Sequence, residues 1–158
     1  MKKIAQFFKV SENQFLKDGT AEQYANITLP RRATAGSAGY DFFAHSAFTL
    51  APGETVKVAT GVRAKIDEGW VLKIYPRSGL GFKYRLTLNN TVGVIDSDYF
   101  FADNEGHIFV KMTNLGDKTL TVEKGQAFAQ GIFVEYGITV DDDCVAVRTG
   151  GFGSTDKK

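Results

Sequence analysis

Five short stretches carry side chains whose type and spacing could act on an anionic substrate. Arg77-Ser78-Gly79 follows Pro76. A guanidinium, a hydroxyl and unhindered amides opening a helical turn can hold a phosphate; a capped surface turn uses the same residues. Asp96 and Asp98 stand two apart after the apolar run Val92-Gly93-Val94-Ile95. In extended chain their side chains point the same way. Carboxylates just beyond a buried strand can bind a metal or activate a water, or simply solvate a turn. Gly150-Gly151-Phe152-Gly153-Ser154-Thr155 offers bare amides and two hydroxyls, a composition suited to wrapping phosphates. Its aromatic could stack on a base, although a mobile polar tail has the same composition. Gln130 is the one polar residue on an otherwise apolar strand face, and a buried amide must be paired. Asp41 closes the small-residue loop Ala35-Gly36-Ser37-Ala38-Gly39-Tyr40. Turn chemistry explains the glycines there but does not demand the aspartate.

Strands must position these groups. Turn signals recur about every ten residues, among them Asp18-Gly19, Pro52-Gly53, Asn89-Asn90, Asn104-Glu105-Gly106 and Lys124-Gly125. Short strands at that spacing predict an all-β sandwich or barrel. Val56, Val58, Thr60, Val62, Ala64 and Ile66 alternate with Lys57, Arg63 and Lys65, which predicts a half-buried strand pair or one long bent strand. Trp70, Leu72 and Ile74 repeat the pattern, as do Ile108, Val110 and Met112. Phe128, Ile132 and Val134 do so again, with Gln130 on their face. Helix signals are few: a capping box at Ser11-Glu12-Asn13-Gln14 and a turn over 78–84.

Composition narrows the function classes. The 17 glycines and 13 phenylalanines suit a turn-rich sheet protein. A chain of 158 residues forms one domain and needs no covalent staple. The single cysteine, Cys144, cannot pair within the chain. A net charge of +1 argues against broad nucleic-acid binding, so an anionic partner must meet a local pocket. No apolar run is long enough to span a membrane. The start, Met1 to Lys9, is too short in its apolar part for a secretory signal, and the expected compartment is cytoplasmic.

Taken in order, the stretches resemble the five motifs of the trimeric dUTPase family. They are 35–41, ending in Asp41; Pro76-Arg77-Ser78-Gly79-Leu80; Gly93-Val94-Ile95-Asp96-Ser97-Asp98-Tyr99, with Asn90 three residues ahead; 125–130; and Gly150 to Thr155. The resemblance spans roughly residues 25 to 155. It implies an all-β, distorted jelly-roll or β-barrel subunit with few short helices, assembled as a homotrimer whose active sites are shared between subunits. It implies a single β domain over 1–147 and a flexible arm over 148–158 that closes on the site. The implied reaction is hydrolysis of dUTP to dUMP and pyrophosphate, with Asp96 activating the water that attacks the α-phosphorus. Mg2+ would be held mostly by the phosphates and water, with Asp41 acting through a water.

The resemblance also assigns the contacts. Arg77, Ser78, Gly79 and Gln130 match the residues that touch the phosphate chain. Arg148, Gly153, Ser154 and Thr155 match the closing arm, and Phe152 the cover over uracil. Asn90, Val94 and Ile95, on a hairpin from Asn90 to Asp96, would present backbone groups to the base edge. Tyr99 would pack on the deoxyribose and exclude a 2′-hydroxyl. Two departures stand out. Six residues, Phe100–Glu105, replace the family's usual single residue between the motif tyrosine and the next glycine. The last motif, Arg148-Thr149-Gly150-Gly151-Phe152, is one residue shorter than usual. The rival readings are the related dCTP deaminase, a bifunctional enzyme, and a nucleotide-switched regulatory protein that meets its partner through Phe100–Glu105.

Overall fold

Turn residues cut the chain into short strands, and the structure, a computed structural model, describes residues 1–150. Strand β1 (Ala5–Lys9), helices α1 (Glu12–Phe15) and α2 (Ala21–Ala25), and strand β2 (Arg31–Arg32) come first. They lead into β3 (Tyr40–Phe43), β4 (Phe48–Leu50), β5 (Thr55–Ala59), β6 (Val62–Ile66) and β7 (Trp70–Pro76). Helix α3 (Ser78–Tyr84) separates β7 from β8 (Leu86–Leu88) and β9 (Gly93–Ile95). A 3₁₀ helix (Ser97–Phe101) follows, then β10 (Phe109–Asn114), β11 (Leu120–Val122) and β12 (Ala127–Glu135). No helix among the described residues is long and apolar enough to cross a membrane.

The largest sheet has the order β2-β3-β12-β7-β9, beside a three-stranded sheet β5-β10-β8 and the pairs β1-β6 and β4-β11. Their inner faces enclose one core, with Phe15, Phe42, Leu72, Ile74, Leu86, Ile108, Met112, Leu120 and Phe128 fully buried. The arrangement is jelly-roll-like, as expected, but the sheets do not close into a barrel.

Two expectations change here. The alternating stretch from Val56 to Ile66 is not a strand pair: β5 joins β10 and β6 joins β1. Its even positions do face inward, since Val58, Thr60, Val62, Ala64 and Ile66 are buried. The break falls at Gly61, whose φ of +70 and closeness to Ile27 leave no room for a side chain. The second change concerns β12. Its register against β3 shifts between Ala127 and Ala129. An extra residue in one strand flips the parity of everything beyond it. Phe128 is therefore core, but past it Ala129 and Gly131 point inward while Gln130 and Ile132 turn to the open side. A Cβ on Gly131 would lie 2.8 Å from Leu72 Cδ1, which marks that side as the packed one.

The helix over 78–84 forms as expected. The capping box lies elsewhere. Ser11 Oγ accepts from Gln14 N, but the return bond is missing, because Ser11 N donates to Glu105 Oε2. The reciprocal box opens α2, where Thr20 and Gln23 exchange both bonds.

Candidate active site

Strand β12 brings the first set of chemical groups together. Gln130 stands directly opposite Asp41 on β3 and Tyr75 on β7. Its Nε2 donates to Pro76 O at 3.1 Å, so the amide is paired and also pins the end of β7. A Cβ on Gly39 would come within 2.7 Å of Gln130 Oε1, so the small-residue loop before Asp41 leaves space for this side chain. Asp41 is buried, and Arg77 Nη1 donates to its Oδ1, the compensation a buried carboxylate requires. Arg77 N donates to Phe128 O, and Arg77 then caps α3, leaving Ser78 and Gly79 exposed at its start. Ser78, Gln130, Tyr75, Pro76, Phe82 and Ile132 are among the residues lining an open groove of about 500 Å³.

The second set lies across β7. Strand β9 pairs there as Leu72↔Ile95, Lys73↔Val94 and Ile74↔Gly93. The expected Asn90–Asp96 hairpin is therefore different in form. A tight turn, with Thr91 N donating to Leu88 O at 3.0 Å and an antiparallel bridge between Leu88 and Thr91, ends β8 with Asn90 exposed, and the chain then runs on as β9 beside β7. Ile95 is buried and Val94 is exposed. The chain around Asp96 and Asp98 is not extended, because the 3₁₀ helix starts at Ser97. Both carboxylates still converge on one cation: Arg148 Nη2 donates to Asp96 Oδ2 at 2.8 Å and Nε to Asp98 Oδ1 at 2.9 Å. The same guanidinium lies 5.8 Å from the centre of the Tyr99 ring. Tyr99 is otherwise enclosed, and burial pushes its phenol pKa up.

The two sets do not meet within the chain. Asp96 follows Ile95, level with Leu72, whereas Arg77 lies beyond the far end of β7. Five residues at ~3.3 Å each separate those levels by about 17 Å. Phe152, Gly153, Ser154 and Thr155 lie outside the described residues. No group of three or more His, Cys, Asp or Glu suited to a metal occurs among the described residues. Asp41 Oδ1 is taken by Arg77, which leaves Oδ2 to accept from a water. That donor set fits a metal held by substrate phosphates and water better than one caged by protein.

The insert packs on its own subunit. Arg63 stacks on Phe100 at 3.6 Å and donates to its carbonyl oxygen. Glu105 accepts from both Ser11 N and Ser11 Oγ. Burial pushes the Glu105 carboxyl pKa up, but those bonds, with Arg63 and Lys17, outweigh it and hold the carboxyl below its usual value. Phe101 remains exposed. Sequence reasoning missed two polar partners at this end, Asp98 on Arg148 and Asn104 on the Tyr99 hydroxyl. The only signal for either was a polar side chain close in sequence to the motif.

Comparison with known proteins identifies the family. A family model for dUTPase matches residues 25–156. The deoxyuridine 5'-triphosphate nucleotidohydrolase of Lactococcus lactis is 43% identical over 139 residues, covering 86% of this chain and 93% of that protein. The crystal structure of dUTPase from Streptococcus mutans superposes with a TM-score of 0.66 at 39% identity, over 84% of this chain and 97% of that one. A mutant dUTPase from phage phi11 of S. aureus, described for coordination of a structural Mg(II) ion, shares the fold at 21% identity and a TM-score of 0.66, over 91% of this chain and 98% of that one. With the motif residues of 35–41, 76–80 and 93–99 disposed along one antiparallel sheet and its flanking turns, and with relatives of this closeness, the chain belongs to the dUTPase family.

Proposed function

We propose that the protein hydrolyses dUTP to dUMP and pyrophosphate in a homotrimer whose sites are each built from more than one chain. The observation that carries the shared site is the separation of about 17 Å between the Asp96 turn and the Arg77 end of β7, taken from the ~3.3 Å strand rise. A water activator and the phosphate contacts must lie within a few ångströms of one phosphorus, so they meet through different copies. The open side of the chain fits this. Phe82 at the groove is 93% exposed, and Ile138, Val140, Val145 and Val147 stand out along the segment after β12. Such apolar surface is better covered than solvated.

Asp96 accepts the proton of the attacking water, the water oxygen bonds the α-phosphorus, and the bond to the bridging oxygen breaks to release pyrophosphate. Phosphoryl transfer of this kind needs positioning and charge neutralisation above all. Arg77, Ser78, Gly79 and Gln130 supply the donors. Asp41, steadied by Arg77, would orient a water bound to Mg2+. Bound Mg2+ would neutralise phosphate charge. Residues 148–158 act as an arm: Arg148 leaves Asp96 and Asp98 for the phosphates, Gly153, Ser154 and Thr155 close over them, and Phe152 covers uracil. The exchange uncovers the face of Tyr99 for the deoxyribose and frees Asp96 as a base. Asn90, Val94 and Ile95 present main-chain groups to uracil. Cytosine reverses donor and acceptor there, and a mismatch of buried polar groups can cost ~10⁴-fold. The place of work is the cytoplasm.

The test is pyrophosphate release from dUTP, dCTP, dTTP and UTP with magnesium, alongside ammonia release from dCTP. Turnover of dUTP alone supports the proposal. Ammonia from dCTP would transfer the assignment to a deaminase, and no turnover of dUTP would end it.

A further inference from the structure

We infer that Asn104, inside the Phe100–Glu105 insert, is a positioning residue that fixes the Tyr99 ring and so tightens rejection of ribonucleotides. The inference rests on the reading of Tyr99 as the surface under the deoxyribose.

The geometry closes around one hydroxyl. Tyr99 Oη donates to His107 O at 2.6 Å and accepts from Asn104 Nδ2 at 2.8 Å. A phenol has one proton to give, so the two bonds fix the far end of the ring. Asn104 is itself held at both polar ends of its side chain and at its carbonyl. Its Oδ1 accepts from Gly106 N, and its main-chain oxygen accepts from His107 N at 3.1 Å. The near end of the ring is set by the 3₁₀ turn, where Tyr99 N donates to Asp96 O. One short unit thus carries both the water activator and the sugar-facing ring.

The rest of the insert braces that unit. Gly106 has φ +69, and a Cβ there would lie 2.6 Å from Tyr99 O and 2.8 Å from Phe100 Cα, so the insert folds back onto the turn itself. Arg63 on β6 clamps Phe100, and Glu105 is tied to Ser11 at the start of α1. An insertion serving only as a surface loop has no need to end on the hydroxyl of a motif residue. A 2′-hydroxyl is excluded by distance, and a ring free to rock gives up that distance. Rigid support of this kind is what holds a site to the required tolerance.

The experiment compares kcat/KM for dUTP and UTP in wild type, Asn104→Ala, Tyr99→Phe, the double variant, Tyr99→Ala and Phe101→Ala, with melting temperatures recorded for each. Asn104→Ala and Tyr99→Phe should each lower the dUTP-over-UTP ratio by about tenfold, the scale of one buried hydrogen bond. The double variant should lose no more than Tyr99→Phe alone, because removing the hydroxyl already removes the bond that Asn104 makes to it. Phe101→Ala, on the exposed tip, should leave the ratio unchanged. If Asn104→Ala and Tyr99→Phe lowered only the melting temperature, the positioning role would be refuted. Should Asn104→Ala fail to fold, Asn104→Asp decides in its place, because it keeps the acceptor for Gly106 N and removes the amide donor to the Tyr99 hydroxyl. A ratio lost in Tyr99→Ala but kept in the two tether variants would sink this inference and leave Tyr99 as the sugar surface. A ratio kept in Tyr99→Ala would remove the underlying reading.

Discussion

His107 should make the protein lose stability on mild acidification, over a pH range set by its burial. The ring is fully enclosed. Nε2 accepts from Gly61 N at 2.9 Å, so the neutral ring carries its proton on Nδ1. That atom is buried without a partner, and Asp18 Oδ2 stands 3.9 Å away. Burial, the main cause, pushes the pKa down from 6.5 to about 4, with Asp18 and Glu105 opposing it and Lys57 and His45 assisting. The unfolded chain titrates near 6.5, so between there and about 4 it binds a proton that the folded state refuses. The stabilisation is therefore complete above pH 6.5 and falls away as pH drops towards 4. Two and a half pH units at ~1.36 kcal/mol each give about 3 kcal/mol. For a domain of this size that lowers the melting temperature by about 6–12 °C. The assay is thermal unfolding from pH 8 to pH 4 at fixed protein concentration, for wild type and for His107→Gln, which keeps an acceptor for Gly61. The wild type should show the extra loss and the variant should not. Parallel slopes in the two proteins would refute the reasoning. An NMR titration of the His107 ring with a midpoint near 6.5 would refute it without any variant.

Other outcomes follow from the site. Asp96→Asn should lower kcat about 10²–10⁴-fold, as loss of a general base does, while dUTP affinity persists or tightens; Asp98→Asn should cost much less, and isothermal titration beside steady-state kinetics separates the two. Loss of binding and rate together in Asp96→Asn would make the residue a structural or metal anchor. Removal of residues 150–158 should leave the circular dichroism spectrum intact, because the buried core ends at Ala129, yet remove most turnover.

The sequence was legible wherever period and turn chemistry agreed. Ile108, Val110 and Met112 are buried as their alternation predicts, and α3 occupies 78–84. It was misleading on β12, because a bulge leaves no mark in composition yet reverses which residues face the core. Gln130 read as a polar intruder on the core face for that reason, when it faces a groove beside Ser78. The capping box at Ser11 went astray through a long-range competitor: Glu105 is 94 residues away and takes the bond a local Gln14 would have made. Site residues named by motif spacing, Asp41, Arg77 and Gln130, do gather. The link between Asp98 and Arg148 was invisible because it joins residues 50 apart through an exposed ion pair, which no periodicity encodes.

If the proposed arm closes over the site, that ion pair would let it be held without being locked. Asp96 and Asp98 are each about half exposed at the side chain. Arg148 itself is largely covered, but carboxylates open to water on one side keep such pairs closer to the weak, exposed kind than to a sealed buried one. A triphosphate offers Arg148 a partner of higher charge and better geometry, since guanidinium–phosphate bonds are charge-assisted and can be bidentate. On the proposed reading the exchange would be favourable only when nucleotide is present, and it would act twice: the arm would gain an anchor over the phosphates, and Asp96 would regain the lone pairs it needs to take a proton. A tighter, buried Arg148–Asp96 pair would hold the base captive. With the carboxylates half exposed, while Tyr99 beside them is fixed by buried bonds to His107 and Asn104, the proposed site would combine a stiff floor with a loose lid.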